Sequence, residues 1–247
     1  MRSRTTRRDH LSPKISRTRH TGQGERQSFF LSFAAIEKTF SNIHLQITTY
    51  FTFTLQVISK DPNLEKPGAG LRKREKIIMG IMFPILRNLK SREFFSELFA
   101  AEQKKIEQLL DSLSEKQARQ QILIKRIRGI EDSSRHWSAY MTISHLNIVN
   151  LGIAGLIRSL GRGKPIDAKI RIEDVKPTSD TGPEALEAFE KTSAILKKSV
   201  AGIEDLKTTQ THHHPWFGPL DAKGWHALTA IHMKIHRKQI ELIIAGL

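Results

Sequence analysis

Cysteine is absent from this 247-residue chain. Its absence excludes disulfides, thiolate metal sites and cysteine nucleophiles, so any metal must be held by His, Asp or Glu. Also missing is an uninterrupted apolar run of about 18 residues, and no transmembrane span is expected. Strand-like stretches are scarce in the second half, where Leu, Ile, Ala, Lys and Glu dominate and helix is the favoured local state. With 38% hydrophobic and 26% charged residues, the chain has the composition of an ordinary globular protein.

Acidic residues are few near the start. Residues 1–76 carry 15 Lys+Arg against 6 Asp+Glu, which leaves 25 against 19 for the rest of a chain with formal net charge +15. A basic surface favours approach to phosphate, but an excess concentrated in one terminal stretch disfavours nucleic-acid binding by the remainder. Residues 1–27, rich in Arg, Ser and Thr, bury too little apolar surface to offset ordering entropy and are expected to be disordered. Residues 28–58 are apolar and aromatic, strand-like in their second part, and have no evident partner. Pro62, Pro67, Gly68, Gly70 and a basic run make 59–76 read as a linker. The pair Arg7-Arg8 is a poor twin-arginine match, because the apolar stretch begins about twenty residues later and is broken by Glu37 and Lys38. An organellar transit peptide fits the composition less well than a start at Met79 or Met82, with the upstream residues a mis-assigned extension. The expected organisation is a basic, poorly ordered leader or extension at 1–76 and a cytoplasmic helical domain at 79–247.

In FFSELFAAEQKKIEQLLDSL, residues 94–113, Phe95, Leu98, Phe99, Ile106, Leu109 and Leu110 form an amphipathic stripe and predict the first bundle helix. Ser114 and Gln117 have capping-box spacing and predict a short helix running through QARQQILIKRIRG. Asp132, Ser133 or Ser134 caps a second long helix of about 26 residues that ends at Gly161, Gly163 and Pro165. The connection 164–182 is irregular, with an extended piece around 169–175. Gly182-Pro183-Glu184 opens the third helix, which runs on through EALEAFEKTSAILKKSVAGIEDL and buries Leu186, Phe189, Ile195, Leu196, Val200 and Ile203. After the loop THHHPWFGPL, Asp221 caps the last helix. Four long helices with a long middle connection predict an all-α four-helix bundle.

His232 and His236 lie four apart on that last helix, so their rings project from one face a turn apart and can reach one ion. Against this stands the plain alternative of a partly exposed pair on a basic helix. The glutamate of an H-E-x-x-H protease is missing, since Met233 and Lys234 follow His232, and zincin-type proteolysis is disfavoured. A third ligand must come from elsewhere. His145 is the candidate, set among Ile143, Leu146, Ile148 and Val149, where a ring faces either a ligand or a backbone carbonyl in the core. Thr229 and Gln239, three residues from His232 and His236 respectively, are placed to hold a ring nitrogen or bound water, or else are ordinary helix-surface polar groups. His226 lies well round the helix and is expected to miss an ion. His212, His213 and His214 form a loop tract of which only His214 is a candidate to line the site. Trp137, Trp216 and Trp225 read as packing residues, with Trp216 and Phe217 able to wall a pocket.

The stretch from Trp137 to Leu146, an apolar helix carrying a His followed by Leu, resembles the second-helix signature of the DinB-like superfamily. The ending His214-Pro-Trp-Phe-Gly-Pro-Leu, followed by Trp225, His232, His236 and Gln239, is similar to that family's last loop and last helix. The resemblance covers about residues 80–247. It implies a four-helix bundle with one divalent ion, zinc or nickel, held by His145, His232 and His236 with a position left open to water, as catalytic coordination requires. Relatives include transferases and isomerases that use mycothiol, bacillithiol or a similar low-molecular-weight thiol. The implied function is a metal-dependent small-molecule transferase or hydrolase, thiol-dependent in one version. The alternative is a metal- or ligand-binding bundle without turnover, and no second acid or base is evident beside the histidines. A homodimer is compatible with either.

Overall fold

The computed structural model describes residues 62–164, 166–167 and 169–247. The expectations for residues 1–61 therefore lie outside the described residues. Helix α1, Lys73–Leu89, begins inside the stretch read as a linker and runs across both 76 and 79. The reason is local: Lys-Arg-Glu-Lys-Ile-Ile-Met is a run of good helix formers with no breaker before Gly80. The lead-in is pinned as well. The Gly68 and Gly70 amides donate to the Glu131 carboxylate at 3.2 and 2.8 Å, with φ of +85° and +83° that only glycine adopts without strain. Of α1 only Phe83 is buried, while Ile77, Ile81 and Leu89 are exposed, so this helix lies outside the central bundle.

The four long helices are α2 (Arg92–Asp111), α4 (Ala139–Gly161), α5 (Glu184–Ala201) and α6 (Ala222–Ile244). The first starts at Ser91, whose side chain accepts from the Phe94 amide. A short α3, Glu115–Arg119, follows with the expected capping box complete. It stops at Arg119, earlier than expected. Ile122–Leu123 is instead a short strand, β1, paired antiparallel with β2, His136–Trp137. The isoleucines explain this: Ile124 and Ile130 are buried against Ile243, with Ile122 and Ile127 packed beside them, and β-branched side chains suit that extended path.

The second long helix also starts later than expected. Asp132–Ser134 is a single 3-10 turn, and Asp132 is occupied by Arg135, Arg126 and the Glu65 amide. Ser138 is the true cap, accepting from the Met141 amide at 3.1 Å. Helix α4 is long and apolar enough to cross a membrane by length and composition, yet most of its apolar window is buried inside the protein. The expected extended piece at 169–175 is not a strand; Glu173–Val175 forms a 3-10 turn. Helix α5 ends at Ala201, short of the expected run, and Ile195 faces outward. Arg92 explains part of that ending, since its guanidinium donates to the carbonyls of Val200, Ile203 and Glu204. The loop before α6 contains a ribbon of β3, His212–His214, and β4, Gly218–Leu220. Asp221 caps α6 as expected, accepting from Gly224 at 2.7 Å.

Helix α4 packs against both α5 and α6, and α6 packs against α2. Phe95, Phe99, Ile106, Ile143, Ile157, Phe189, Leu196 and Ile240 fill the middle. Polar ties fix the pairings. Asn147 donates to the Ala185 carbonyl and accepts from Thr192, joining α4 to α5. The buried Glu102 carboxylate binds Arg237, joining α2 to α6. The all-α four-helix bundle expected from the sequence is the observed fold.

Candidate metal centre

The apolar character of α4 and the amphipathic pattern of α6 bring one helix face of each together, and the histidines lie on those faces. Nε2 of His145 is 3.1 Å from Nε2 of His232, which is 3.0 Å from Nε2 of His236. His145 and His236 are buried, and His232 is half-buried.

The hydrogen bonds behind the rings fix their tautomers. His145 Nδ1 lies 2.6 Å from the Val175 carbonyl. A carbonyl only accepts, so Nδ1 carries the proton and Nε2 is a lone pair. Gln239 donates its amide nitrogen to the Ser134 carbonyl at 2.7 Å, which turns its oxygen toward His236 Nδ1, also at 2.7 Å. His236 must therefore donate from Nδ1 and present Nε2 as a lone pair. Two lone pairs thus face His232, and a neutral His232 has one proton, enough to answer only one of them. His232 Nδ1 is itself buried with no hydrogen-bond partner among the described residues.

A divalent ion resolves this geometry. Bound about 2.1 Å from two imidazole nitrogens, an ion separates them by about 3.0 Å at a right angle and about 3.4 Å at the tetrahedral angle. The observed separations lie at the lower end of that range, and donor atoms of all three rings lie within 4.8 Å of one another. A donor set of three imidazoles with no cysteine suits a transition-metal ion such as zinc, nickel, copper or iron.

Electrostatics keep the rings in the ligating form. Burial pushes His145 down to about 4, partly offset by its bond to Val175. Burial also holds His232 and His236 well below the ordinary histidine value, and mutual repulsion of their cationic forms adds to it. Neutral imidazoles are what a metal requires.

Among the other expected site residues, Gln239 is fully buried and bonded to His236. Thr229 is fully buried too, but its hydroxyl goes to the Trp225 carbonyl one turn back in its own helix. His214 lines the cavity beside the triad, accepts from the Trp216 amide at Nδ1, and is pushed down to about 4 by burial. Trp216 and Phe217 line the same cavity. His226 is directed elsewhere, to Ser96 and the Arg92 carbonyl. Trp137 packs as expected, and what it packs against is the histidines: its indole lies parallel to His236 with ring centres 6.3 Å apart and is 5.2 Å from the ring centre of His145.

Glu131 and Lys176 were not singled out from the sequence. They meet at 2.8 Å in the cavity wall, with Lys176 also on the hydroxyls of Ser133 and Ser134. Burial pushes the Glu131 carboxyl up, but Lys176 and the two glycine amides outweigh it and hold it below the ordinary value. Neither residue sits in a periodic pattern, and the cap reading of Asp132, Ser133 and Ser134 stops one position short of Glu131.

A family model described as the DinB superfamily matches residues 98–240, more than half of the chain and all three histidines. A crystal structure titled as a four-helix bundle protein aligns over 61% of this chain and 98% of its own, with 22% identity and a TM-score of 0.45. No curated protein matches. With its bundle, its clustered histidines and the span of that match, the chain belongs to the metal-binding DinB superfamily.

Proposed function

We propose that His145, His232 and His236 hold one zinc or nickel ion and that the protein is a metal-dependent transferase or hydrolase of small molecules, with a low-molecular-weight thiol as co-substrate or cofactor. The observation that carries this reading is the convergence of three Nε2 atoms, two of them fixed as lone pairs by bonds on the far side of their rings. An ion held there supplies Lewis acidity and lowers the pKa of a thiol or water bound to it. The chain's own part is positioning. Val175 and Gln239 orient two rings, Trp137 braces them, and the half-buried His232 stands toward a cavity of about 420 Å³ large enough for a small substrate.

A second reading, a bundle that binds metal or ligand without turnover, draws on the state of Glu131. Glu131, a carboxylate of the cavity wall, is already engaged by Lys176, Gly68 and Gly70, and so is poorly placed as a general base. The two readings separate in one titration. The cobalt-loaded full chain is titrated with a small thiol while the thiolate-to-cobalt charge-transfer absorption is followed. The enzyme reading predicts saturable growth of that band and metal-dependent turnover in a screen of thiol-transfer and hydrolysis reactions. Absence of the band together with absence of turnover supports the non-catalytic reading.

A further inference from the structure

The cavity beside the triad is mostly hydrocarbon. From His145 it follows α4 past Ile148, Val149, Gly152 and Ile153 to Leu156, residues at the spacing of one helix face. At about 1.5 Å per residue this wall extends on the order of 16 Å from the histidines. Ile170 and Val175, from the segment before α5, line the same cavity. The polar groups nearest the triad are already used: Glu131, Ser134 and Lys176 bind one another. The other charged residues of the lining, Lys169, Arg171 and Asp174, belong to the segment 166–176, and beyond His145 the α4 wall is apolar throughout, so a polar ligand body laid along α4 finds no polar side chain on that wall, whereas an apolar one gains by burial.

The head of the ligand meets a different environment. Three imidazoles add no charge to a divalent ion, and the Glu131 carboxylate is neutralised by Lys176 at 2.8 Å. The other carboxylate in the cavity wall, Asp174, likewise lies beside a cation, Arg171 at 3.9 Å, so a divalent ion would keep its pull on an incoming anionic donor.

We propose that the site takes a small amphiphile, with one anionic metal-binding donor on an unbranched apolar body laid along α4 from His145 toward Leu156. This rests on the metal reading above, and it narrows the substrate class to molecules with little polar surface beyond the head.

Gly152 provides the test. Gly152 is an exposed residue of the cavity wall and a Cβ added there would meet nothing within 4 Å, so Gly152→Leu adds a side chain to that wall without forcing the backbone, and leucine is the better helix former. The zinc-loaded full chain is titrated calorimetrically with linear alkyl hydroxamates from acetohydroxamate to octanohydroxamate, and with the matching uncharged alcohols. The expected result is affinity that rises about fourfold per added methylene. In Gly152→Leu the rise stops in the longer members while zinc content is unchanged, and the alcohols bind far more weakly than hydroxamates of equal length. Metal-dependent binding of acetohydroxamate with no gain along the series, or a gain untouched by Gly152→Leu, overturns the apolar body and leaves the metal reading intact. Alcohols that bind as tightly as hydroxamates overturn the anionic head. Failure of the chain to take up zinc removes the metal reading and this proposal together.

Discussion

At the residue scale, Gln239 links two parts of the chain through one amide. It accepts from His236 and donates to Ser134, so the nitrogen that His236 turns to the other two histidines is set by a backbone carbonyl 105 positions before Gln239. Groups that orient a ligating histidine commonly contribute 10- to 100-fold in metal affinity, and Gln239→Ala is expected to weaken zinc binding by about that factor with the fold retained. A competition titration against a chelator measures it; unchanged affinity would mean that His236 is held by packing alone. Lys176 poses a different question. With Glu131 only 2% exposed, Lys176→Met leaves a carboxylate buried without its cation, and a loss of about 3–5 kcal/mol in urea unfolding is expected. The double change with Glu131→Gln is expected to recover much of that loss, because it removes the stranded charge. A double variant as unstable as the single one would contradict this assignment.

At the element scale, the helices themselves were more legible than their ends. The stripe of α2 follows from the spacing of Phe95, Phe99 and Ile106, all buried as the period requires, and the structure shows Met233, His236 and Ile240 buried at the same period on α6. Capping was ambiguous wherever several candidates stood in line. Asp132, Ser133, Ser134 and Ser138 all have side chains that cap helices; Arg126 and Arg135 draw Asp132 away, and Ser138 alone faces the first turn of α4. Ser138→Ala is expected to destabilise the protein by about 1 kcal/mol, read as a lowered urea midpoint. A change within error would show that the start of α4 is set by the burial of Trp137 and Ala139 instead. The ribbon at His212–His214 was hidden for a similar reason. Three histidines carry no strand propensity, and pairing with Gly218–Leu220 depends on Gly218, which leads out of the turn into β4 with φ of +71°.

At the scale of the whole molecule, the order of helices and the three histidines could be read from the sequence, since each depends on spacing within one element and on a known family pattern. The groups behind the rings could not. Val175, Ser134, Glu131 and Lys176 come from irregular segments, and their partners lie 30 to 105 positions away along the chain, where no local period reports them. Acid stability follows from the buried histidines collectively. Burial holds His145, His214 and His226 near 4, against an ordinary value of 6.5 that the unfolded chain recovers. Between those values the unfolded chain binds more protons than the folded one, so stability is complete above about pH 6.5 and is lost as pH falls toward 4. Each group that titrates fully contributes up to about 1.4 kcal/mol per pH unit in that window. The urea midpoint of the metal-free chain is expected to be level from pH 8 to 7 and to fall steadily below 6.5; a level midpoint down to pH 4.5 would contradict the burial of these rings.

Metal stoichiometry tests the central claim most directly. The untagged full chain, exposed to zinc and freed of excess by gel filtration, is assayed by elemental analysis alongside His145→Ala, His232→Ala and His236→Ala, with helical content followed by circular dichroism. One ion per chain in the parent, lost from each variant while the helices persist, is the predicted result. A parent that retains no zinc, nickel or manganese, or variants that keep the full complement, would show that the three converging nitrogens are not a metal site.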